Sequence, residues 1–174
     1  RQAELCFHGI GQPGRELEEG EERFWIEPAT FRDILDVVSD FPGTALSFDD
    51  SNASDAEIAF PELARRAMPA SFYVIAGRLG RPGSLTPDEL RALHRSGMSI
   101  GSHGMDHVAW QLVRSPDARH REFVAARDAI SDVIGEAVTT AACPRGSYDR
   151  RSIRSLRELG YEQVGDIVVD FGAQ

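Results

Sequence analysis

Short apolar runs alternate with amphipathic helical stretches along almost the whole chain, and this alternation limits the fold more than any other feature. Residues 5–10, 44–48, 70–76, 98–101, 138–143 and 161–164 read as strands. Residues 31–38, 55–68, 86–96, 117–134 and 150–159 carry helical spacing between them. Thr30 is a candidate N-cap, Thr86 and Glu89 form a capping-box pattern, and Gly135 and Gly160 stop their helices. Repeated strand–helix–strand units predict an α/β fold with a parallel sheet. In such folds the chemistry gathers at the carboxyl ends of the strands. At 174 residues, one domain covering residues 1–174 is expected.

Chemically capable residues fall at those strand ends. Asp49 and Asp50 follow Phe48, His103 and His107 follow Ile100, the turn 144–149 follows Cys143, and His8 lies in the first strand run. The chain has five histidines, and two of them are spaced His-x-x-x-His within GSHGMDH. In a helical turn that spacing puts both imidazoles on one face. Two imidazoles hold a divalent ion weakly, and Asp50 is the natural third ligand. Such a set leaves positions open for water and substrate. By itself the spacing also suits two surface histidines. Adjacent carboxylates repel, a cation stabilises them, and one of the pair can then act as a base. An Asp-rich turn or helix cap is the simpler reading of that segment alone. Successive strand residues face opposite ways, so the backbone must bend after Phe48; the run SNASD supplies turn-forming residues, including the chain's single asparagine, Asn52. Asp149 is expected to cap the last helix, and a backbone N–H in that turn suits an oxyanion.

Composition excludes several classes. The chain has 19 basic and 28 acidic residues, a net charge of −9, which argues against a nucleic-acid partner. All the basic residues are arginine, so lysine nucleophiles and Schiff bases are ruled out. No apolar run approaches the ~20 residues of a membrane span. No signal peptide is visible, which favours the cytoplasm only slightly because the chain begins at Arg1. Cys6 and Cys143 sit in apolar runs and are expected to be two buried thiols. The acidic stretch 15–23 reads as a solvated loop, partly helical, without a function.

Three motifs in order, SFDD (residues 47–50), SHGMDH (102–107) and PRGSYD (144–149), resemble those of the NodB-type polysaccharide deacetylases, carbohydrate esterase family four. The resemblance runs from about Leu5 to the end. It implies a distorted (β/α) barrel of about seven parallel strands, expected to fall short of closure at its C-terminal end. It implies metal-dependent removal of N- or O-linked acetyl groups from a carbohydrate. By the same resemblance Asp49 is the general base, and Asp50, His103 and His107 are the metal ligands. A backbone N–H near Arg145 holds the oxyanion. Zinc is the first choice of metal, with cobalt, manganese or nickel as alternatives. His8, Trp110 and Tyr148 are candidate substrate contacts, although a buried packing role is the commoner fate of a tryptophan. The family's usual glycine after the aspartate pair is Ser51 here. Its arginine two residues before the proline is Ala142, and the aromatic after the proline is Arg145. Its general-acid histidine has no assigned counterpart, and Asp166 is the candidate for a later family aspartate. Two other readings remain: a catalytically impaired relative that binds glycan or metal, and a metal-dependent amidase of the same fold acting on a non-sugar C–N bond. The oligomeric state is open.

Overall fold

Strand β1 (Glu4–Phe7) starts a hydrogen-bonded sheet that continues through β4 (Ala45–Phe48), β5 (Ser71–Val74), β6 (Ser99–Ser102), β7 (Thr140–Ala142), β8 (Gln163–Gly165) and β9 (Val169–Asp170). The computed structural model describes residues 4–41, 43–165 and 169–170. Among the described residues, β1 to β8 of this sheet are six parallel strands, one fewer than expected, and β9 returns antiparallel to β8. Parallel strands need crossovers, and helices supply them. These are α1 (Pro28–Val38), α2 (Phe60–Arg65), α3 (Pro87–Arg95), α4 (Pro116–Arg119), α5 (Ala126–Ile134) and α6 (Arg150–Glu158). The order is that of a distorted, incomplete (β/α) barrel. A separate short pair, β2 (Gly9–Ile10) and β3 (Trp25–Ile26), interrupts the run expected at residues 5–10.

Contacts divide the chain into two compact units, Arg1–Phe72 with Leu79–Ser99, and Tyr73–Arg78 with Ile100–Gln174. The first unit has an aromatic core. Phe7 packs edge-on against Phe31 at 5.1 Å and stacks on Phe48 at 5.3 Å, while Phe48 stacks on Phe72 at 4.8 Å. Register explains the contact between strands, because Phe7 pairs with Phe48 and Phe48 with Phe72 in the parallel ladders. Helix α1 buries Phe31, Leu35 and Val38, spaced by four and three residues, toward that core. Its N-cap is Glu27, with Pro28 at the first turn, and not Thr30; a proline is already preset for that position.

The second unit packs Trp110, Phe123, Cys143, Leu156 and Tyr161 together. Trp110 meets Phe123 edge-on at 5.2 Å. The long helix expected over 117–134 forms, but it passes through a π-type segment, His120–Ala125, between α4 and α5. The other two expected caps, Thr86 and Asp149, form. The Thr86 side chain accepts from the Glu89 amide, and that of Asp149 accepts from the Ser152 amide. No described helix is long and apolar enough to cross a membrane.

Phe48 is fully buried and touches three other rings. Phe48→Ala is expected to destabilise the protein by about 3–5 kcal/mol. Urea unfolding of the variant beside the parent checks this.

Candidate functional site

In the first unit the parallel ladder extends one residue past β4. The Asp49 amide donates to the Phe7 carbonyl at 2.9 Å, and then the backbone turns away. Asp50 and Ser51 have φ of 74° and 51°, the left-handed region that side chains disfavour. Each such residue costs about 1–3 kcal/mol and persists where its surroundings dictate it. Those surroundings are visible. The Leu85 amide donates to the Ser51 carbonyl at 2.9 Å, and the Ala53 amide to the Gly83 carbonyl at 3.0 Å. Ser54 Oγ accepts from the Ile10 amide at 3.2 Å. The predicted bend therefore exists, and Ser51 occupies a conformation that suits the glycine it replaces.

Asn52 anchors the turn. Its Oδ1 accepts from Arg15 Nε at 3.1 Å and Nη2 at 2.9 Å, and its Nδ2 donates to the His8 carbonyl at 3.3 Å. Arg15 also pairs with Glu21, and both side chains are nearly buried. The acidic stretch 15–23 is thus not simply a wet surface. Its polar residues include the clamp that holds the aspartate turn, a tertiary role invisible in a local charge count.

In the second unit the histidine pair is not helical. Residues 103–107 form a loop in which Gly104 has φ 79° and His107 φ 57°, yet the two imidazoles lie 5.3 Å apart. Two features shape the loop. A Cβ at Gly104 would sit 2.5 Å from Glu122 Oε2, so the position requires glycine. The Glu122 carboxylate accepts from the Met105 amide at 3.0 Å and the Asp106 amide at 3.2 Å. Burial pushes the Glu122 carboxyl upward, and the Met105 amide opposes that shift. Buried His103 has its Nδ1 3.0 Å from the Ala142 carbonyl. A carbonyl only accepts, so Nδ1 carries a proton, and in the neutral ring Nε2 then keeps its lone pair. This is the second-sphere arrangement of metal-binding histidines.

The turn after β7, Pro144–Gly146, places Arg145 at φ 59° with an exposed side chain. Tyr148 is exposed as well. His8 is half-buried and stacks on Phe24 at 4.8 Å. Trp110, considered above as a sugar contact, is buried in the core and belongs to the packing. Cys143 is a buried thiol as expected, but Cys6 is exposed, on the face of β1 opposite the buried Phe7. Asp166 lies outside the described residues.

Comparison with known proteins gives a consistent family. A family profile described as polysaccharide deacetylase matches residues 39–164. YxkH of Bacillus subtilis strain 168, named for the same family, is 23% identical over 117 residues, covering 67% of this chain. Those residues span 42% of YxkH. Among solved structures, Streptococcus pyogenes deacetylase PplD in complex with acetate aligns with a TM-score of 0.77 at 22% identity. That alignment covers 92% of this chain and 80% of PplD. A de-N-acetylase from Aggregatibacter actinomycetemcomitans aligns with a TM-score of 0.79 at 16% identity, covering 95% and 88% of the two chains. At these identities the structures establish the fold.

One residue of the site escaped the sequence reading. Asp55, read only as the first residue of a helix, is completely buried. Burial pushes its carboxyl well above the ordinary carboxylate range, and the charges of Asp50 and Asp49 push the same way. The available signal was a third aspartate within six positions of the pair. Between the ordinary carboxylate pKa and this raised value, the native state holds a proton that the unfolded chain has released. Stability of the metal-stripped protein is therefore expected to fall as pH rises through that window. In Asp55→Asn the slope should flatten, as measured by urea unfolding across a pH series.

Proposed function

This chain belongs to the polysaccharide deacetylase family, and we propose that it hydrolyses acetyl groups, N- or O-linked, from a carbohydrate with the help of a divalent metal. The observation that carries the reading is His103. Its Nδ1 is committed to the Ala142 carbonyl and its ring lies beside His107, the orientation an imidazole needs to ligate through Nε2. By the family's motifs, Asp50, His103 and His107 are the proposed ligand set. Two neutral nitrogens and one carboxylate suit zinc, and cobalt, manganese or nickel are compatible with the same donors. A bound cation supplies positive charge that eases deprotonation of water and stabilises negative charge on the acetyl oxygen.

The chain's own groups do the rest. Asp49 accepts the proton of the attacking water; it is held by its amide on the Phe7 carbonyl. Water oxygen bonds to the acetyl carbon, the C–N or C–O bond to the sugar breaks as the departing nitrogen or oxygen takes up the proton first received by Asp49, and acetate leaves with a sugar amine or hydroxyl. A backbone N–H near Arg145, which lies in a left-handed turn, is the proposed donor to the developing oxyanion. Tyr148, exposed on the same turn, contacts the sugar, as does His8. The acetate held in PplD is the small product such a reaction releases. Acetylated carbohydrate is thus the proposed partner.

Acetate release from N-acetylated and O-acetylated oligosaccharides tests the reading. Activity should vanish on chelation and return with zinc or cobalt. Asp49→Asn should keep the metal and lose roughly 10²–10⁴ in turnover. Near-parental turnover in that variant would remove Asp49 as the base. His103→Ala should lose tight zinc binding in calorimetry, and unchanged affinity would refute the ligand assignment. Hydrolysis of non-sugar acetamides with none of acetylated sugars would overturn the substrate class.

A further inference from the structure

Cys6 on strand β1 and His8 just past it are metal-capable donors outside the ligand set proposed above. Phe7 and Phe48 turn into the aromatic core. The period of two then sends Cys6 and His8 to the opposite face. Asp49, one position past Phe48 and still on the ladder through its amide, joins that face. A thiol, an imidazole and a carboxylate result, each with a ligand atom within 4.8 Å of the other two. All three belong to the first unit. Cys6 is exposed, His8 half-buried and Asp49 buried, so an ion arriving from solvent meets the thiol first and the carboxylate last. Stacking on Phe24 restrains the imidazole.

We propose that Cys6, His8 and Asp49 form a second divalent-cation site, selective for thiophilic ions such as zinc or cobalt and separate from the Asp50, His103 and His107 set. Sulfur and imidazole donors favour these ions over magnesium or calcium. Three protein ligands leave a fourth tetrahedral position for water. The Cys6 thiol, now directed at the Phe7 carbonyl at 3.8 Å, releases its proton to solvent as the sulfur–metal bond forms, and no electron is transferred. An ion held here engages Asp49. If Asp49 is the proton acceptor, as proposed above, excess zinc suppresses acetate release. That consequence rests on the catalytic reading; the site itself does not.

The test is cobalt titration of the chelator-stripped protein, read by the thiolate-to-cobalt charge-transfer band in the near ultraviolet. The band is expected in the parent, in His103→Ala and in Cys143→Ala, and is expected to be lost in Cys6→Ser. Equilibrium dialysis should show Cys6→Ser binding one zinc equivalent fewer than the parent. Saturating zinc should also block alkylation of Cys6 by iodoacetamide, a measurement on the parent that needs no variant. A parent without the band, a band that survives in Cys6→Ser or disappears in His103→Ala, or alkylation unaffected by zinc would overturn the site. Excess zinc should inhibit the parent and spare Cys6→Ser. Failure of Asp49 as the base would instead appear as an active Asp49→Asn, with the parent's cobalt band still present.

Discussion

The aspartate end of the site depends on where the β1–β4 ladder stops. One more backbone hydrogen bond, from the Asp49 amide to the Phe7 carbonyl, keeps Asp49 in the sheet; the next two residues leave it in left-handed conformations. A regular strand would aim neighbouring carboxylates at opposite faces. The turn removes that constraint, and its strain is offset by bonds to Ile10, Gly83 and Leu85 and by the Arg15–Asn52–Glu21 clamp. Arg15 links the Asn52 side chain to the Glu21 carboxylate and so ties the turn to residues more than thirty positions earlier.

The same device recurs after β6. His107 adopts a left-handed conformation and Gly104 allows a close approach, while the Glu122 carboxylate satisfies two successive amides. Through these two bonds Glu122 holds the loop on which both imidazoles sit. Glu122 lies in the π-type segment, where a locally widened helical turn is common near functional sites. The candidate site residues Asp50 and His107 thus sit on left-handed turns, and polar side chains distant in sequence hold those turns.

Much of this was legible beforehand. Period-two runs and helical spacing identified the strands and helices because burial on one face leaves a periodic trace. The position of Asp49, Asp50, His103 and His107 after strands is also legible, and it makes them candidates for chemistry at the strand ends. Other features left no local trace. The histidine spacing suggested a helix, but the Glu122 carboxylate and Gly104 make a loop. Trp110 looked available for a sugar and is instead packed on Phe123. The stretch 15–23 looked solvated, yet Glu21 is buried against Arg15. Asp55 looked like an ordinary helix residue, and its raised pKa comes from burial and neighbours that only folding supplies.

The sequence by itself determined the order of the parallel strands and their crossover helices, the capping residues at Thr86 and Asp149, the donor chemistry at each strand end and the motifs that carry the family. These follow from local periodicity and residue type, which act over a few positions. Tertiary structure alone decided which backbone turns are left-handed, which nitrogen of His103 keeps its lone pair, and that Cys6 and His8 share a face with Asp49. Those outcomes depend on hydrogen bonds and side-chain packing between residues tens of positions apart, and such contacts exist only once the chain has folded.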